Sequence, residues 1–316
     1  MGIFKTRHKD NVFNYKKFVV FSIFTRNRSL NGPVFNNMKK GRLNFDEFQK
    51  IDAQQWQQKL LADLKGKPIP TVQKGGFVLN PFLTKTKDTQ NLIRPKKNGA
   101  WKMSISFDLK DSERLNAEIL NGLQLGIQDV VILWHDALDE TIVFRDVHRE
   151  MINIDIRKDS DSIDSVYIQN DGDYVDAFRR IEKNAKAPET PIELVASKDF
   201  ILNIAFIRAT KMFLTEKNLN NPIRMIPDYS KLDEDLDIQC IEKTMIGLAG
   251  VLASVDILEL AKVEHTSNQN DYHRINHMIH HILREESHLS RVHDPLAGSY
   301  FIEELCHKIL QKSKGI

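Results

Sequence analysis

The segment IELVASKDFILNIAFIRATKMFLTE (residues 192–216) decides the fold class, because it joins a short strand directly to a long helix. Residues 192–196 have the length and composition of a strand. The helix is predicted to begin at Ser197, whose hydroxyl is positioned to cap it, and to run to about residue 216. The positions that face inward recur at helical spacing and comprise Ile201, Ile204, Ala205, Ile207, Met212 and Phe213.

The same alternation extends in both directions along the chain. Residues 130–134 (VVILW) are a continuous apolar run, which is typical of a strand covered on both faces of a parallel sheet. Strands are predicted at residues 100–107, 130–134, 152–156, 166–169, 192–196, 222–226 and 255–258. Helices are predicted at residues 112–126, 173–184, 197–216, 236–252, 271–287 and 299–314, with a short helix within 141–151.

This alternation predicts an α/β protein with a parallel (β/α) TIM-barrel-like domain over residues 100–316. A barrel of this kind usually needs about 250 residues and eight strands. The segment is shorter and eight strands cannot be counted in it, so we expect the barrel to be shortened or incomplete. Residues 38–99 are predicted to form an N-terminal helical arm, with a helix at 46–65 followed by an extended segment rich in Pro and Gly.

Residues 1–37 differ in composition from the rest of the chain. Their basic and imidazole side chains are Lys5, Arg7, His8, Lys9, Lys16, Lys17, Arg26 and Arg28, against the single acid Asp10. We expect Met38 to be the natural start and the preceding segment to be an extension outside the fold; a disordered basic tail is the alternative. The apolar run at residues 18–24 is at the short limit of a signal sequence and lacks a cleavage pattern.

The bulk composition narrows the class of protein. The chain has 316 residues and a formal net charge of +2, which does not favour a nucleic-acid or membrane partner. No apolar run is long enough to suggest a membrane span. Two cysteines, Cys240 and Cys306, do not form a disulfide framework, and a reducing cytoplasm is the predicted location.

A row of histidines is the most conspicuous candidate site. His273, His277 and His281 stand four residues apart on one predicted helix, and Glu285 extends the row. This spacing places imidazoles on one helical face, as in zinc sites. The pattern lacks the acid of an HExxH motif, so an amphipathic helix with partly exposed histidines is the preferred interpretation and a metal site the alternative.

Other candidates carry weaker signals. The Gly66–Lys67 and Gly75–Gly76 pairs do not form a phosphate-binding motif and are interpreted as parts of a flexible arm. An acidic loop lacks the glycine and terminal glutamate of a calcium site and is interpreted as solvated; it contains Asp159, Asp161 and Asp164. Asp108 and Glu113 can be interpreted equally well as helix caps or as catalytic groups. Both cysteines are assigned to the core.

One C-terminal stretch resembles a known family. ILREESHLSRVHDPLAGSYFIEEL (residues 282–305) is similar to the helix–turn–helix at the end of the barrel in methylmalonyl-CoA mutases. The positions that match are Arg274-Ile275, Ile282-Leu283, Glu285-Glu286-Ser287, Arg291-Val292, Asp294-Pro295, Gly298-Ser299-Tyr300, Ile302-Glu303 and Leu305. Within this stretch Asp294-Pro295 is predicted to end one helix, and Ser299 to cap the next after a turn at Gly298.

Further stretches resemble the same family. FILNIAFIRATKMFL (residues 200–214) is similar to a helix of the family, with Ile204-Ala205 and Arg208-Ala209 in register. Residues 56–72 and 99–107 resemble the amino-terminal arm and first strand of the small subunit of the two-subunit enzymes. Residues 242–260 follow another family helix more loosely, so the resemblance covers roughly residues 45–110 and 190–316.

The motifs that carry the family's chemistry are missing from the sequence. Neither TIRQY nor GYHMQEAG occurs, and the latter supplies the histidine that supports the rearrangement over cobalamin. Residues 226–231 (IPDYSK) replace the substrate-binding THxQTSGW, and residues 258–261 (LELA) replace LHTN. No cobalamin domain is expected after Ile316. The resemblance therefore transfers no catalytic, cofactor-binding or metal-binding residue to this chain.

The resemblance implies a small subunit, the catalytically silent partner in the family. We expect a non-catalytic chain that forms a heterodimer with a catalytic large subunit, which would carry adenosylcobalamin and isomerise methylmalonyl-CoA and succinyl-CoA. The alternatives are an isomerase chain that contributes directly to acyl-CoA rearrangement, and a degenerate stand-alone module that binds acyl-CoA or a metal. Nucleic-acid and membrane partners are not expected.

Overall fold

The protein is described by a computed structural model that covers residues 51–80, 82–83, 99–158, 164–169, 172–185, 187–264 and 270–315. The chain divides into two compact units at residues 57 and 58. Helix α1 (Ala53–Asp63) spans this boundary and has no buried residue. Asp52 and Gln55 cap its start reciprocally, each accepting a hydrogen bond from the backbone N–H of the other. The predicted helix began at residue 46, and that part lies outside the described residues.

The second unit is built on a seven-stranded sheet in which all observed pairings are parallel. Its strands are β3 (Lys102–Asp108), β4 (Asp129–Trp134), β5 (Asn153–Lys158), β6 (Val166–Tyr167), β7 (Ile192–Ala196), β8 (Ile223–Pro227) and β9 (Ile257–Glu264). Their spatial order is β5-β4-β3-β9-β8-β7-β6. The last strand of the sheet in sequence, β9, therefore pairs with the first, β3. This order is that of a barrel opened at one seam, which confirms the TIM-barrel-like prediction.

Helices follow most of the strands. They are α2 (Ser112–Gln124), α3 (Glu140–Val143), α4 (Tyr174–Asn184), α5 (Phe200–Glu216), α6 (Leu236–Leu252), α7 (Asn270–His281) and α8 (Tyr300–Ser313). A π-helical turn (Ile282–Glu286) continues α7, and 3₁₀ turns occupy Arg149–Met151 and Leu289–Arg291. Among the described residues, no helix combines the length and the apolar character that crossing a membrane requires.

Aspartates begin several of these helices. The N-cap residues of α2, α3, α4, α5 and α6 each accept a backbone N–H from the first helical turn, and they are Asp111, Asp139, Asp173, Asp199 and Asp235. The prediction that Ser197 caps α5 is therefore wrong, since the helix starts two residues later. The Ser197 hydroxyl bonds to Asn203 instead.

The outer face of the sheet carries the apolar core. One cluster packs β6, β7, β8 and part of β9 against α4, α5, α6 and α8, and a second packs β3, β4 and the end of β9 against α2 and α3. Strand residues alternate between the two faces, so Ile192, Leu194 and Ala196 point to this core. The intervening residues point to the concave inner face of the curled sheet.

The sheet is open between β5 and β6. Each pairs with one neighbour, β4 and β7 respectively, and no backbone pairing joins the two within the described residues. Within the described residues the sheet thus has seven strands and does not close, which agrees with the expectation of a shortened or incomplete barrel. Residues 159–163, which connect the two edges, lie outside the described residues.

A hairpin in the arm was not predicted. Strands β1 (Val72–Lys74) and β2 (Phe77–Leu79) pair antiparallel around Gly75 and Gly76, both at positive φ. The side chain of Leu79 is 1% exposed and belongs to the core, and the Tyr174 hydroxyl donates to the Gly75 carbonyl at 2.8 Å. The extended arm therefore contributes to the packing of the second unit.

The C-terminal corner differs from its prediction in two details. The helical segment before it ends at Glu286, eight residues before Asp294, so the proline does not end that helix. Ser299 takes the N-cap position of α8 without a side-chain hydrogen bond. Instead, the side chain of Glu303 accepts a hydrogen bond from the N–H of Gly298 at 2.7 Å. Gly298 has a positive φ, as expected for the predicted turn.

Candidate functional site

Arg224 stands at the centre of the concave face. It projects inward from β8, its side chain is 1% exposed, and its guanidinium reaches strands on the opposite side of the curl. Nη2 donates to Asp129 Oδ1 on β4 at 2.5 Å, and Nη1 donates to Asp155 Oδ2 on β5 at 3.2 Å. Glu193 on β7 lies 3.8 Å from Nη1. One buried cation thus connects three carboxylates from three other strands.

A second arginine spans the open seam. Arg157 on β5 donates through Nη2 to Asp155 Oδ2 and to Glu193 Oε2, both at 2.9 Å. Ser165, next to β6, donates to the other oxygen of Glu193 at 2.5 Å. The Arg157–Glu193 ion pair therefore joins β5 to β7, and the Ser165 hydrogen bond extends this contact to the β6 edge. We call Asp129, Asp155, Arg157, Glu193 and Arg224 the interior charge network.

A second polar group lies above this network, toward the C-terminal ends of the strands. Glu259 on β9 accepts from the Ser106 hydroxyl at 2.6 Å and from the Tyr229 hydroxyl at 3.1 Å. Burial raises the pKa of Glu259 to about 7, against the opposing effects of the Ser106 hydrogen bond and the Arg224 charge. Glu259 therefore holds a proton in a substantial fraction of molecules at neutral pH.

Lys243 lies close to Tyr229 of this group. It lies on α6, is 5% exposed, and its Nζ is 5.8 Å from the centre of the Tyr229 ring. Nζ donates to Gln239 Oε1 at 2.8 Å, and burial lowers the pKa of Lys243 to about 8. Shifted pKa values gathered in one place indicate a functional site or a structural ion network.

Two cavities open beside these groups. A cavity of about 240 Å³ lies at the C-terminal ends of β6, β7 and β8, with Lys198, Asp228 and Lys231 in its lining. This is the end at which barrel enzymes place their active sites. A larger cavity of about 850 Å³ lies at the opposite strand ends and reaches the interior charge network; its basic lining residues are Arg149, Arg157, Lys183 and Arg224.

An aspartate–histidine pair also occupies the C-terminal edge of the sheet. Asp108 at the end of β3 accepts from His135 Nε2 at 2.8 Å, just beyond β4. Of the two interpretations of Asp108 and Glu113, the helix-cap one is wrong, because Asp111 caps α2, and the catalytic one stays a prediction. Glu113 is in the first turn of α2 and pairs with Arg145 at 2.6 Å.

Two histidines of the predicted row, His277 and His281, and the neighbouring His280 are directed into the fold. His277 is buried, His280 Nδ1 accepts from Trp101 Nε1 at 3.1 Å, and His281 Nε2 donates to the Leu125 carbonyl at 2.9 Å. The side chain of His273 lies outside the described residues. No three His, Cys, Asp or Glu side chains converge as a metal site in the part of the chain that the structure describes. Where they are described, these histidines therefore make packing contacts.

The remaining candidates have structural surroundings. Cys306 is buried in the core, where burial raises the pKa of its thiol to about 12, while Cys240 is half-buried. Asp164 pairs with Arg180, and Asp159 and Asp161 lie outside the described residues. The Gly66–Lys67 pair follows α1, where Gly66 has a positive φ.

The C-terminal corner is tied to the core by one ion pair. Arg208 on α5 is 2% exposed at its side chain and donates through Nη1 to Asp294 Oδ1 at 2.5 Å. Asp294 also accepts the N–H of Leu296, which fixes the turn. The segment HDPLAGSY is therefore a structural corner, as its turn residues predicted.

The interior charge network was not identified from the sequence, although it leaves a signal there. Glu193 and Arg224 are each the single charged residue within an otherwise apolar strand. Because a strand alternates its faces, one such residue marks a polar face opposite the apolar core.

Comparison with known proteins supports one family for the second half of the chain. Residues 175–316 match the family model described as methylmalonyl-CoA mutase. The match includes Glu193, Arg224, Glu259 and the corner at Asp294, whereas Asp129 and Asp155 precede it. No curated protein matches the chain. The match to residues 175–316 supports the methylmalonyl-CoA mutase family for this protein.

Proposed function

We propose that this chain is a non-catalytic, small-subunit-like protein that pairs with a cobalamin-bearing catalytic chain of methylmalonyl-CoA mutase. In the cytoplasm, the assembled enzyme would interconvert methylmalonyl-CoA and succinyl-CoA. The observation that carries the proposal is the combination of a family match with an interior occupied by mutually paired charges. Arg224 and Arg157 donate to carboxylates of the same chain, so these interior cations are already paired within the chain.

The proposal assigns adenosylcobalamin to the partner. The cavity at the C-terminal strand ends has a volume of about 240 Å³. Pockets that enclose drug-sized ligands have volumes of roughly 300–1,000 Å³, and cobalamin is larger than a drug-sized ligand. The described residues do not fit the cofactor at this end, so we derive no catalytic step through it. When bound in the partner, the cofactor supplies radical chemistry.

Co-elution and turnover test the proposal together. The full chain is mixed at micromolar concentration with the catalytic subunit from the same source and examined by size exclusion with light scattering. We expect one heterodimer peak, no isomerase activity from this chain alone, and activity from the mixture with adenosylcobalamin. Two independent peaks would overturn the pairing, and turnover by the isolated chain would overturn its non-catalytic role.

A direct contribution to acyl-CoA binding is the second candidate. The pocket for it would be the cavity of about 850 Å³, where Arg149 and Lys183 supply cations for the phosphates of coenzyme A, although five carboxylates in the same lining oppose an anion. Calorimetric titration of the isolated chain with coenzyme A tests it. Saturable binding that Lys183→Gln weakens would support this function, and absence of heat at millimolar ligand would remove it.

A further inference from the structure

Two lysines on the helices behind the sheet, Lys211 on α5 and Lys243 on α6, are almost covered by the fold, but their partners differ. Lys211 donates to the Ser254 carbonyl, and Asp256 Oδ2 lies 3.8 Å from its Nζ. Lys243 donates to the neutral amide oxygen of Gln239 at 2.8 Å, and no carboxylate of the described residues lies within ion-pair distance of its Nζ. A buried ammonium without a counter-charge is unfavourable, so the surroundings of Lys243 favour the neutral amine.

The cavity of about 240 Å³ at the C-terminal strand ends lies beside this amine. Ile246, one turn further along α6 on the same buried face as Lys243, belongs to its lining. Asp228 also lines it and directly precedes Tyr229, whose ring centre is 5.8 Å from Lys243 Nζ. Because the volume is below the roughly 300–1,000 Å³ of pockets for drug-sized ligands, this space suits a much smaller molecule.

The lysines in the lining of the cavity have the partners that Lys243 lacks. Lys198 Nζ pairs with Glu242 at 2.6 Å, and Lys231 Nζ pairs with Asp228 at 2.9 Å. Both lysine side chains are more than half exposed, so water and a carboxylate together hold them as ammonium ions. A carbonyl compound that enters the cavity therefore meets two protonated lysines at its wall and one amine that the fold keeps from protonation behind it.

We propose that Lys243 is a nucleophilic lysine that forms an imine with a small aliphatic aldehyde admitted by this cavity. The Nζ lone pair attacks the carbonyl carbon, and a C–N bond forms. The two hydrogens of the amine pass to the carbonyl oxygen, which leaves as water when the C=N bond forms. Desolvation in a buried site is one way in which proteins activate lysine for this reaction. The inference goes beyond the proposed function and rests only on the surroundings of Lys243.

Reductive trapping of the imine tests the proposal. The full chain is incubated at neutral pH with propanal and cyanoborohydride, and mass spectrometry of the digested protein measures the rate of propylation at each lysine. Burial lowers the pKa of Lys243 to about 8, so about one molecule in ten carries the neutral amine at about pH 7, against fewer than about one in a thousand for an ordinary lysine. We expect Lys243 to react roughly tenfold or more faster than Lys198 and Lys231.

A carboxylate placed beside the amine supplies the second measurement. Gln239→Glu puts a negative charge at the position that accepts from Nζ at 2.8 Å. This charge stabilises the ammonium form, so the propylation rate of Lys243 at neutral pH should fall roughly tenfold. Ile238→Glu is the matched control, since it adds the same charge one residue earlier at a 45% exposed position and should change the rate by less than about twofold. Circular dichroism confirms that both variants remain folded.

Lys211 is the control for access, because its side chain is only 12% exposed and has Asp256 nearby. Three results would overturn the proposal. The first is a Lys243 that stays unmodified in the folded chain and reacts only in urea. The second is equal rates at Lys243 and Lys211, which would mean that opening of the fold exposes both amines. The third is a Gln239→Glu chain in which Lys243 reacts as fast as it does in Ile238→Glu.

Discussion

Arg224 on β8 and Asp129 on β4 form an ion pair of 2.5 Å across the concave face of the sheet, although 95 residues separate them in sequence. Both side chains are almost completely buried, at 1% and 2% exposure. β4 and β8 are separated by two strands in the sheet order, so this pair records the curl of the sheet directly. It also gives the concave face a polar core that the outer face lacks.

Loss of Arg224 is expected to destabilise the protein strongly. Arg224→Met keeps much of the side-chain volume but leaves Asp129 buried without its counter-charge. Breaking one partner of a buried pair costs about 3–5 kcal/mol of the free energy of unfolding. Urea denaturation followed by circular dichroism measures this loss.

Arg145→Met provides the control for that substitution. Its partner is Glu113 at 2.6 Å, and both side chains are more than half exposed. An exposed pair contributes about 0–1 kcal/mol, so the control should differ little from wild type. Equal effects of the two substitutions would contradict the assignment of Arg224 as the centre of the interior charge network.

Glu259 is expected to make stability fall as pH rises. Its pKa is about 7 in the folded chain, above the ordinary value of 4.5, so between these values the folded state binds more protons than the unfolded state. The free energy of unfolding should therefore decrease by up to about 3 kcal/mol between about pH 5 and pH 8. Urea denaturation at a series of pH values gives the profile.

Glu259→Gln should remove this part of the pH dependence, because the amide does not titrate and still bonds to Ser106 and Tyr229. The Glu113→Gln variant is the control, since that carboxylate is exposed and should leave the profile unchanged. If the free energy of unfolding of Glu259→Gln changes with pH as steeply as that of wild type between about pH 5 and pH 8, another group controls the pH dependence of stability.

The strands were more predictable than the site. Residues 192–196 were predicted as a strand because their apolar composition is a local signal, and β7 has those bounds. The hairpin at Gly75–Gly76 was missed, although two glycines between short apolar runs are a turn signal in their own right. The pairing of Arg224 with Asp129 depends on strand order and curl, which no local pattern encodes.

His280 is expected to lower stability in acid. Burial, with the positive neighbours His277, Arg284 and His281, holds its pKa well below the ordinary 6.5. The unfolded chain therefore takes up a proton below about pH 6.5 that the folded chain resists, and stability falls as pH decreases through this range. Trp101 fluorescence, recorded during urea denaturation at each pH, reports the change beside the imidazole.

His280→Asn should flatten this acid limb, because the amide oxygen can accept from Trp101 Nε1 without titrating. His148→Asn is the matched control, since the side chain of His148 is 78% exposed. The free energies of unfolding of the two variants should differ at about pH 5 and be equal at about pH 8. Identical profiles would mean that His280 is not the group responsible.

Cys306 is expected to be inert toward thiol reagents in the folded protein. Burial raises its pKa to about 12, so the reactive thiolate is scarce at neutral pH, and the side chain is 1% exposed. A Cys240→Ser chain should release no colour from an aromatic disulfide reagent until urea unfolds it. The Cys306→Ser chain retains the half-buried Cys240 and should react without denaturant. Rapid reaction of Cys240→Ser under native conditions would mean that α8 opens readily from the core.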